Sequence, residues 1–507
     1  MTGSLRPLIE ERMEIIVIGA GLGGLFCGAL LSREGHKVTV LEKNALIGGG
    51  LQTFIRKGEM YETGMHVAGG FHEQGSLYRI CRYLGILDRF AVVPSDLMSS
   101  VTYLTEGRTY RIPSGREAFI DYLSEEFPQE RDNIRNYTEA LFRLSEEEKL
   151  FYMKSNPGTY PEHSDEFIMP ADQFIARYID SPELRSLLAF VNPLYAGVAG
   201  HSPAYLHAMI SIMFIDHPCR FAGGSGKLAE ALAWVIEQGG GAVLTRRRVT
   251  RILVEDRTVK CVVDSEGCEY KADTYISDIH PCLLSAMIEG KAFTPGYHER
   301  LNTIPDTVSA FKVYVKLKPE TVPFVEHPVS ILDSMSNSWS LSAHDPEGWP
   351  HGVSCFMAPS DDGRWATHIS ALSLMSWEEV SRWADTITGH RTLEYEEWKE
   401  SRIEKVLNLV SNVFPDIMEC MEECFAASPL TFRDWLGSRN GSIYGYFKDS
   451  ENLIMSQLPI RTKVVNLLLT GQNVNMHGIG GVPMTAIETA ETITGIGVIV
   501  NKIRNTK

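Results

Sequence analysis

The residues with the clearest chemical role lie near the N-terminus, where Gly19-Ala20-Gly21-Leu22-Gly23-Gly24 follows an apolar run. Gly19 permits a tight turn, Gly21 leaves room for a diphosphate beside the backbone, and Gly24 lets a helix pack closely on a strand. A helix that begins here presents unpaired N–H groups and partial positive charge to phosphates. The spacing predicts a dinucleotide-binding turn with the contact residues Gly19, Gly21, Leu22, Gly23 and Gly24.

The elements that must hold this turn can be read on both sides of it. Residues 13–18 are apolar apart from Glu14, as expected of a parallel strand buried on both faces, and Leu22–Arg33 is rich in leucine, alanine and glycine. Lys37–Leu41 reads as a second strand, which completes a βαβ unit. Glu42 ends that strand, where its carboxylate can accept hydrogen bonds from ribose hydroxyls and would repel a 2′-phosphate, so NADP is disfavoured at this site.

Three consecutive glycines, Gly48 to Gly50, follow where a bare nicotinamide-binding domain would continue into a crossover helix. With Glu42 they form a Glu-x5-Gly-Gly element, which resembles the two-dinucleotide-binding flavoprotein superfamily of monoamine oxidases, protoporphyrinogen oxidase and phytoene desaturases. The resemblance implies non-covalent FAD. The resemblance also implies these FAD contacts: Lys43, Gly49, Gly50, Leu51, Met65 and His66. Gly50 departs from the superfamily, which frequently has arginine there.

Three later segments resemble the same superfamily. Residues 223–226 and the helix after them resemble the element that opens its second cofactor-binding segment, and Val249 matches a position whose backbone meets the adenine. Residues 469–484 resemble its closing flavin motif, in which a helix N-terminus stabilises negative charge on the reduced ring. The further FAD contacts that these segments imply are Val249, Gly471, Gln472, Asn473, Gly480, Gly481, Val482 and Met484.

Within the superfamily, Glu62-Thr63-Gly64-Met65-His66 and residues 471–478 are most similar to carotenoid desaturases, carotenoid isomerases and retinol saturases. Residues 431–433 and 441–445 match a segment that returns beside the flavin. The resemblance implies an FAD-dependent oxidoreductase that reduces, desaturates or isomerises C=C bonds of an apolar polyene, isoprenoid or other lipid, with hydride transfer at flavin N5. A saturase also needs a proton donor, and the candidates are His66, His477 and Tyr444, each with a purely structural role as the alternative.

Residues 186–215 contain no Asp, Glu, Lys or Arg. The stretch is long enough to span a bilayer, but Pro193, Gly197, Gly200 and Pro203 interrupt it, so we expect a buried helical pair instead. Such a pair could line a tunnel for an apolar chain or simply form a domain core. The tunnel would be lined by Leu187, Leu188, Phe190, Leu194, Tyr195, Met209, Met213 and Phe214. We expect the histidines of this region to be packed or on the surface: His201, His207 and His217.

The bulk composition excludes several classes of function. The 48 basic and 64 acidic residues give a formal charge of −16, which disfavours nucleic-acid binding, and residues 246–248 (Arg-Arg-Arg) read as a solvated strand edge. Nine cysteines without a CxxC pair indicate reduced thiols and no metal site. Glu10, Glu11 and Glu14 are wrong for a secretory signal. We expect a cytoplasmic protein with peripheral membrane contact as the further option.

These observations predict an α/β fold: a Rossmann-type FAD-binding domain, with a doubly wound parallel sheet and accessory β-strands, and an inserted α+β substrate domain. The FAD-binding domain is predicted over residues 1–72, 217–305 and 441–507, and the substrate domain over 73–216 and 306–440. No second GxGxxG motif is present, so the electron donor or acceptor must be external. Two alternatives share the fold: an amine or porphyrinogen oxidase, and a non-catalytic lipid carrier.

Overall fold

The computed structural model describes residues 12–154, 163–290 and 292–506. The α-helices are α1 (Leu22–Arg33), α2 (Ser76–Leu84), α3 (Arg116–Glu126), α4 (Arg131–Glu146), α5 (Asp165–Ile168), α6 (Ala171–Tyr178), α7 (Pro182–Leu188), α8 (Ala204–Asp216), α9 (Gly226–Gln238), α10 (Pro281–Met287), α11 (Pro295–Thr303), α12 (Leu393–Val410), α13 (Ile417–Cys420), α14 (Pro429–Leu436), α15 (Leu453–Ser456), α16 (Gly478–Thr494) and α17 (Val498–Asn505). Glu10 and Glu11, used above against a secretory signal, lie outside the described residues.

The strands are β1 (Glu14–Ile18), β2 (Lys37–Leu41), β3 (Thr53–Arg56), β4 (Glu59–Glu62), β5 (Val92–Pro94), β6 (Leu97–Tyr103), β7 (Arg108–Pro113), β8 (Cys219–Phe221), β9 (Ala242–Leu244), β10 (Val249–Glu255), β11 (Thr258–Asp264), β12 (Glu269–Tyr270), β13 (Thr274–Ser277), β14 (Ile288–Glu289), β15 (Ser309–Leu317), β16 (Val329–Leu332), β17 (Gly352–Pro359), β18 (Ala366–Met375), β19 (Met421–Ala427) and β20 (Leu467–Leu469).

A five-stranded parallel sheet in the order β20-β13-β1-β2-β9 forms the centre of the cofactor half. The apolar residues of β1 are buried on both faces. Ile15 and Val17 lie in the core that contains α1, whereas Ile16 and Ile18 lie in a second core with residues of β10 and β11. Gly28 of α1 allows close helix packing, since a Cβ there would lie 3.0 Å from Ile236 Cδ1 of α9. The predicted parallel sheet is confirmed, and the accessory strands form a four-stranded sheet in the order β12-β11-β10-β14.

A seven-stranded sheet in the order β19-β15-β18-β17-β16-β6-β7 forms the other half. The sequence patterns between residues 73 and 215 predict helices, many of them highly charged, and do not predict the hairpin β6–β7. β6 pairs in parallel with β16, where Ser100 lies opposite Val329. Pairing with a strand more than two hundred residues away stabilises the hairpin. The local sequence of the hairpin does not indicate that this distant strand will pair with it.

The start of α16 differs from the sequence prediction. Because proline suits the first turn of a helix, the sequence predicts a helix that starts at Pro483, but α16 begins at Gly478 and Pro483 lies inside it. Glycine is needed in the first turn because a Cβ at Gly481 would lie 2.4 Å from Met476 Cβ, and one at Gly480 2.5 Å from Met213 Sδ. The glycines therefore reflect close packing of a helical turn and not a loop. The mostly apolar residues 464–470 also predict a buried strand, but β20 has only three residues.

The uncharged stretch over residues 186–215 folds as the end of α7, an irregular 3-10 turn and most of α8. α8 has 13 residues, of which all but Ile210 and Asp216 are buried. Within residues 12–154, 163–290 and 292–506, no helix combines the length and apolar character that crossing a bilayer requires.

Candidate cofactor and substrate site

One cavity of about 1080 Å³ opens at the carboxyl ends of β1 and β2 and continues to α8 and the seven-stranded sheet. Ligands of open α/β sheets bind at this edge, because the strand ends and the helix N-termini meet there. Most of the predicted FAD contacts line this cavity: Gly19, Gly21, Leu22, Gly23, Glu42, Lys43, Gly49, Gly50, Leu51, Met65, His66, Val249, Gln472, Asn473, Gly480, Gly481 and Val482.

Three predicted contacts lie behind the cavity wall. A Cβ at Gly24 would lie 2.1 Å from the Gly19 carbonyl oxygen, so this glycine serves the tight turn and the helix packing. Gly471 has a φ of 87°, and a Cβ there would lie 2.2 Å from Asp278 Oδ1. Met484 is 1% exposed and packs inside α16. These three residues do not line the cavity.

The glycine turn and the second glycine element lie side by side. The Gly48 N–H donates to the Ala20 carbonyl at 2.7 Å, and a Cβ at Gly49 would lie 3.2 Å from Gly21 Cα. Two backbone segments thus form one side-chain-free surface at the N-terminus of α1. Such a surface suits a diphosphate, which needs N–H groups and close backbone approach.

Asp278 faces the same surface and was not predicted. It follows β13 directly, and its N–H donates to the Ile18 carbonyl at 2.9 Å. Burial raises the pKa of this carboxyl to about 7. The available signal was its place at the end of a buried strand beside β1, the edge where functional side chains of parallel sheets collect.

Glu42 is 6% exposed, and its carboxylate is anchored by the backbone. Oε2 accepts the Ala20 N–H at 2.9 Å, and Oε1 accepts the Asn44 N–H at 2.8 Å. Each carboxylate oxygen keeps a second lone pair, so the group can also accept hydrogen bonds from hydroxyls of a ligand.

The segment from Phe432 to Asn440 borders the cavity opposite Glu42. Lys43 Nζ donates to the Asp434 carbonyl at 2.8 Å, and Asn44 Nδ2 donates to the Trp435 carbonyl at 2.9 Å. Hydrogen bonds from the residues after β2 therefore hold this segment, which lies within the region that the resemblance places beside the flavin.

The arginine cluster is only partly a solvated edge. Arg246 and Arg248 are exposed, as predicted, but Arg247 and Arg248 also border the cavity next to Val249. Arg247 forms ion pairs with Glu266 and Asp264. The sequence interpretation was wrong in separating this cluster from the site, because the turn before β10 folds toward the end of β2.

His66 is bonded at both ring nitrogens. Nδ1 lies 2.9 Å from Glu62 Oε2 and Nε2 lies 2.6 Å from Lys312 Nζ, while the ring stacks on Phe356 at 4.4 Å. Lys312 also donates to the carbonyls of Glu62 at 2.6 Å and Thr63 at 2.9 Å. Burial and the Lys312 charge lower the pKa of His66 to about 4. Burial lowers the pKa of Lys312 to about 7.

Sequence reasoning missed Lys312 and the role of Glu62. Residues 311–317 alternate in polarity as a strand should, so Lys312 and Lys316 share the side of the strand that the pattern predicts to be polar. A lysine in the middle of a buried strand needs an internal partner, and this one is 0% exposed.

His477 differs from His66 in its contacts. The residue is 6% exposed and lines the cavity, and among the described residues neither of its ring nitrogens has a hydrogen-bond partner. Its ring lies 4.9 Å from that of Tyr444, whose hydroxyl donates to the Pro193 carbonyl at 3.0 Å. Burial and the nearby Lys448 charge lower the pKa of His477 to about 3, so the ring is neutral. Two unpaired polar atoms at a cavity wall fit a ligand that supplies their partners.

The apolar end of the cavity is formed largely by α8, through Leu206, Met209, Ile210, Met213 and Phe214. Four predicted tunnel residues line it: Leu194, Met209, Met213 and Phe214. The other four do not: Leu187, Leu188, Phe190 and Tyr195.

The four misplaced residues have packing partners elsewhere. Leu187 and Leu188 are buried in α7, and Phe190 borders a separate small crevice. The Tyr195 hydroxyl contacts Asn192 and His207. His207 is packed, whereas His201 and His217 are exposed, as predicted.

Residues 22–494 match the family model described as flavin containing amine oxidoreductase. The chain belongs to this family. The match begins at Leu22, inside the glycine turn, and ends at Thr494, the last residue of α16. Within the family, FAD is the cofactor that the glycine turn and its surroundings serve.

Two relatives of this flavoprotein are similar over almost its whole length. Human all-trans-retinol 13,14-reductase is 27% identical, with 96% of this chain and 86% of the relative covered. Prolycopene isomerase 2, chloroplastic, of an Oncidium hybrid cultivar is 26% identical, with 92% and 81% covered. A crystal structure of an oxidoreductase from Methanosarcina mazei shares the fold, with a TM-score of 0.64, 17% identity and coverage of 94% and 100%.

The residues of this flavoprotein fit FAD. Gly21 and Gly49 have no side chains of their own to obstruct a diphosphate beside their backbone, and Glu42 offers lone pairs for ribose hydroxyls. The N-terminus of α16 lines the cavity with Gly480 and Gly481, beside the unpaired ring of His477. The prediction that FAD is the cofactor is confirmed.

Proposed function

We propose that this FAD-dependent oxidoreductase acts on C=C bonds of an apolar polyene, isoprenoid or other lipid. One observation carries the proposal: a single cavity joins the dinucleotide-binding glycine turn to an apolar chamber lined by α8. Burying an apolar chain there contributes roughly 25 cal/mol per Å² of area removed from water. The named activities of the relatives, on a retinol and on a carotenoid, support the same substrate class.

The charge distribution argues against an amine substrate. Among the described residues that line the cavity, the acids are Glu42, Asp278 and Asp434. Glu42 and Asp278 lie at the glycine turn, and Asp434 pairs with Arg391 at 2.7 Å. The apolar chamber thus offers no carboxylate to an ammonium group, whose burial without a partner is costly.

The residues named above would hold FAD, which supplies hydride exchange at N5 when bound. The chain itself contributes binding, exclusion of water and polar contacts. His477 offers one N–H donor and one acceptor to a ligand, while Glu62 and Lys312 hold His66 in place. We therefore assign ligand contact to His477 and positioning to His66. The Tyr444 hydroxyl orients the loop that carries Pro193.

We also propose that the chain is divided into the two domains predicted from the sequence, and the composition of the two sheets supports this division. The parallel sheet takes strands from residues 14–41, 242–277 and 467–469, whereas the seven-stranded sheet takes strands from 97–113, 309–375 and 421–427. Since the sequence has one GxGxxG motif, an external molecule must supply or remove the electrons if the reaction is a net reduction or desaturation.

The function is tested by reducing the purified flavoprotein without oxygen and adding all-trans-retinol or a carotene. We expect oxidation of the flavin with loss of polyene absorbance, or isomerisation of the polyene without net oxidation. With the oxidised enzyme and a more saturated polyene, desaturation would reduce the flavin. Bleaching of the oxidised flavin by putrescine, with no response to any polyene, would refute the proposal.

We also propose contact with a bilayer surface, because an apolar substrate is stored in membranes. Ile454 and Met455 of α15 are 85% and 49% exposed, and their neighbour Leu453 packs against the core that contains α8. Since the formal charge is −16, a zwitterionic surface fits better than an anionic one. The expected result is co-sedimentation with phosphatidylcholine vesicles that the double variant Ile454→Ser, Met455→Ser loses. Equal sedimentation of both proteins would contradict the proposal.

A further inference from the structure

Asp278 lies over the surface that a diphosphate must reach. A Cβ at Gly21 would lie 2.4 Å from its Oδ2, one at Gly23 2.4 Å from its Oδ1, and one at Gly471 2.2 Å from Oδ1. The backbone of Gly24 and Gly21 favours the ionised form of this carboxyl and lowers its pKa, against the larger effect of burial. The carboxyl therefore lies at the start of α1, whose N–H groups are suited to phosphate oxygens.

We propose that Asp278 competes with the diphosphate of the dinucleotide for the start of α1, so that binding of the dinucleotide is coupled to uptake of one proton by Asp278. The inference rests on the FAD assignment and is independent of the substrate. A diphosphate bound beside Gly21 and Gly23 would bring two negative charges close to the carboxylate. Like charges at this separation favour the neutral form of a carboxyl group.

The surroundings of Asp278 supply little to offset this repulsion. The charged or titratable groups that face it are Glu42 at the end of β2 and Cys27 of α1. β1 and the loop after β20 contribute backbone around Gly19 and Gly471. His280, two residues further on, is paired with Asp306 at 3.0 Å. Burial already favours the neutral acid, since it raises the pKa of Asp278 to about 7.

The sign of the effect follows from linkage. If the bound dinucleotide raises the pKa of Asp278 further, the complex binds more protons than the free protein at pH values between the two pKa values. The dissociation constant should be constant below about pH 7 and should rise by up to about tenfold per pH unit above it. The diphosphate of FAD is a diester, so its own charge does not change in this range.

The experiment titrates flavin-free protein with FAD, following flavin fluorescence from about pH 6 to about pH 9, and counts protons by calorimetry in buffers of different ionisation enthalpy. The wild type should take up close to one proton per FAD at about pH 8. Asp278→Asn should bind FAD more tightly than the wild type at about pH 9 and with a dissociation constant that is nearly independent of pH.

Asp273→Asn is the matched control, because Asp273 is exposed just before the other end of β13 and accepts the Glu14 N–H at 2.8 Å. This variant should keep the wild-type pH dependence. Uptake of no proton by the wild type would overturn the inference without any variant. Weaker binding by Asp278→Asn at every pH, or a pH dependence that persists in it, would also overturn it. Failure of the wild type to bind FAD at any pH would refute the cofactor assignment instead.

Discussion

Lys312 Nζ lies 2.6 Å from His66 Nε2, in a contact that joins β15 to the segment after β4. Since Nδ1 is bonded to Glu62, both nitrogens of His66 are engaged inside the protein. The ring faces the cavity but offers it no free donor or acceptor. This separates His66 from His477, whose two nitrogens are unpaired among the described residues.

We predict that Lys312→Met changes how stability depends on alkaline pH. The pKa of Lys312 is about 7 in the folded protein, against 10.5 without burial, so the unfolded chain binds more protons between these values. Stability of the wild type should therefore rise with pH from about 7 to about 9, with up to about 1.4 kcal/mol per pH unit from this group. In Lys312→Met, the free energy of unfolding measured with urea should rise less steeply with pH, by that amount.

The same variant should raise the pKa of His66, because a positive charge beside its ring is removed. NMR titration of labelled histidine would report the change. Lys57→Met is the control, since the Lys57 side chain is 67% exposed. If Lys57→Met reduced the pH dependence of the free energy of unfolding as much as Lys312→Met does, Lys312 would not be the group responsible.

A second prediction contrasts two buried histidines. His477→Phe removes two unpaired polar atoms, and each unsatisfied buried group costs about 1–3 kcal/mol. The flavin-free protein should therefore become more stable by about 1 kcal/mol. His207→Phe should do the reverse, because His207 pairs with the hydroxyls of Tyr137 at 2.7 Å and Tyr195 at 3.1 Å.

Urea unfolding of the flavin-free proteins distinguishes the two effects, and turnover with a polyene should fall in His477→Phe if the ring contacts a ligand. Equal destabilisation by the two substitutions would mean that His477 has an internal partner.

Acid should destabilise the protein through the same histidines. Burial lowers the pKa of His66 to about 4, and those of His207 and His477 to about 3. The unfolded chain binds more protons between these values and about 6.5, so stability must fall as pH drops through that window. Each histidine contributes up to about 1.4 kcal/mol per pH unit.

The slope of the free energy of unfolding between about pH 6 and about pH 5 measures this effect. His477→Phe should reduce this slope by the contribution of one histidine, up to about 1.4 kcal/mol per pH unit. His390→Gln should leave it unchanged, because His390 is exposed. An unchanged slope in His477→Phe would contradict the burial of a neutral ring there.

The glycine turn gives a prediction about the cofactor. A Cβ at Gly21 meets only the end of the Asp278 side chain, so Gly21→Ala should fold, but its methyl group occupies the approach of the diphosphate. We expect the affinity for FAD to fall by about tenfold or more, which is at least about 1.4 kcal/mol. Flavin fluorescence measures the affinity.

Gly296→Ala in α11 is the matched control, since a Cβ there has nothing within 4 Å. It should bind FAD like the wild type and gain stability of up to about 1 kcal/mol, because alanine favours a helix over glycine. Wild-type affinity in Gly21→Ala would show that the diphosphate lies elsewhere.

The cofactor half could be predicted because its signals are contiguous. The run from residue 13 to Glu42 contains a strand, a glycine turn, a helix and a second strand in order, and each reads from its own pattern. Asp278 and Lys312 could not be found this way. Lys312 is 246 residues from His66, and only the pairing of distant strands brings them together.

The uncharged stretch over residues 186–215 shows a second limit of prediction from the sequence. The absence of charge correctly predicted burial but could not say which side of each buried helix faces the cavity. α8 is apolar on all sides, so its sequence shows no periodicity that separates a cavity-facing residue such as Ile210 from core residues. α7, equally apolar at its end, packs into the core.

This distinction leads to a prediction about the substrate. Ile210 lines the cavity and is the apolar residue of α8 that is only partly buried, so its side chain has open space before it. Ile210→Trp should fill the chamber and raise KM for a long polyene by roughly tenfold, while a shorter analogue is affected less. Leu187→Ala should leave KM unchanged, because Leu187 does not line the cavity, but should lower the free energy of unfolding by about 2–5 kcal/mol. Steady-state kinetics with polyenes of two lengths and urea unfolding measure both effects. A raised KM in Leu187→Ala together with wild-type kinetics in Ile210→Trp would place the substrate against α7 and not against α8.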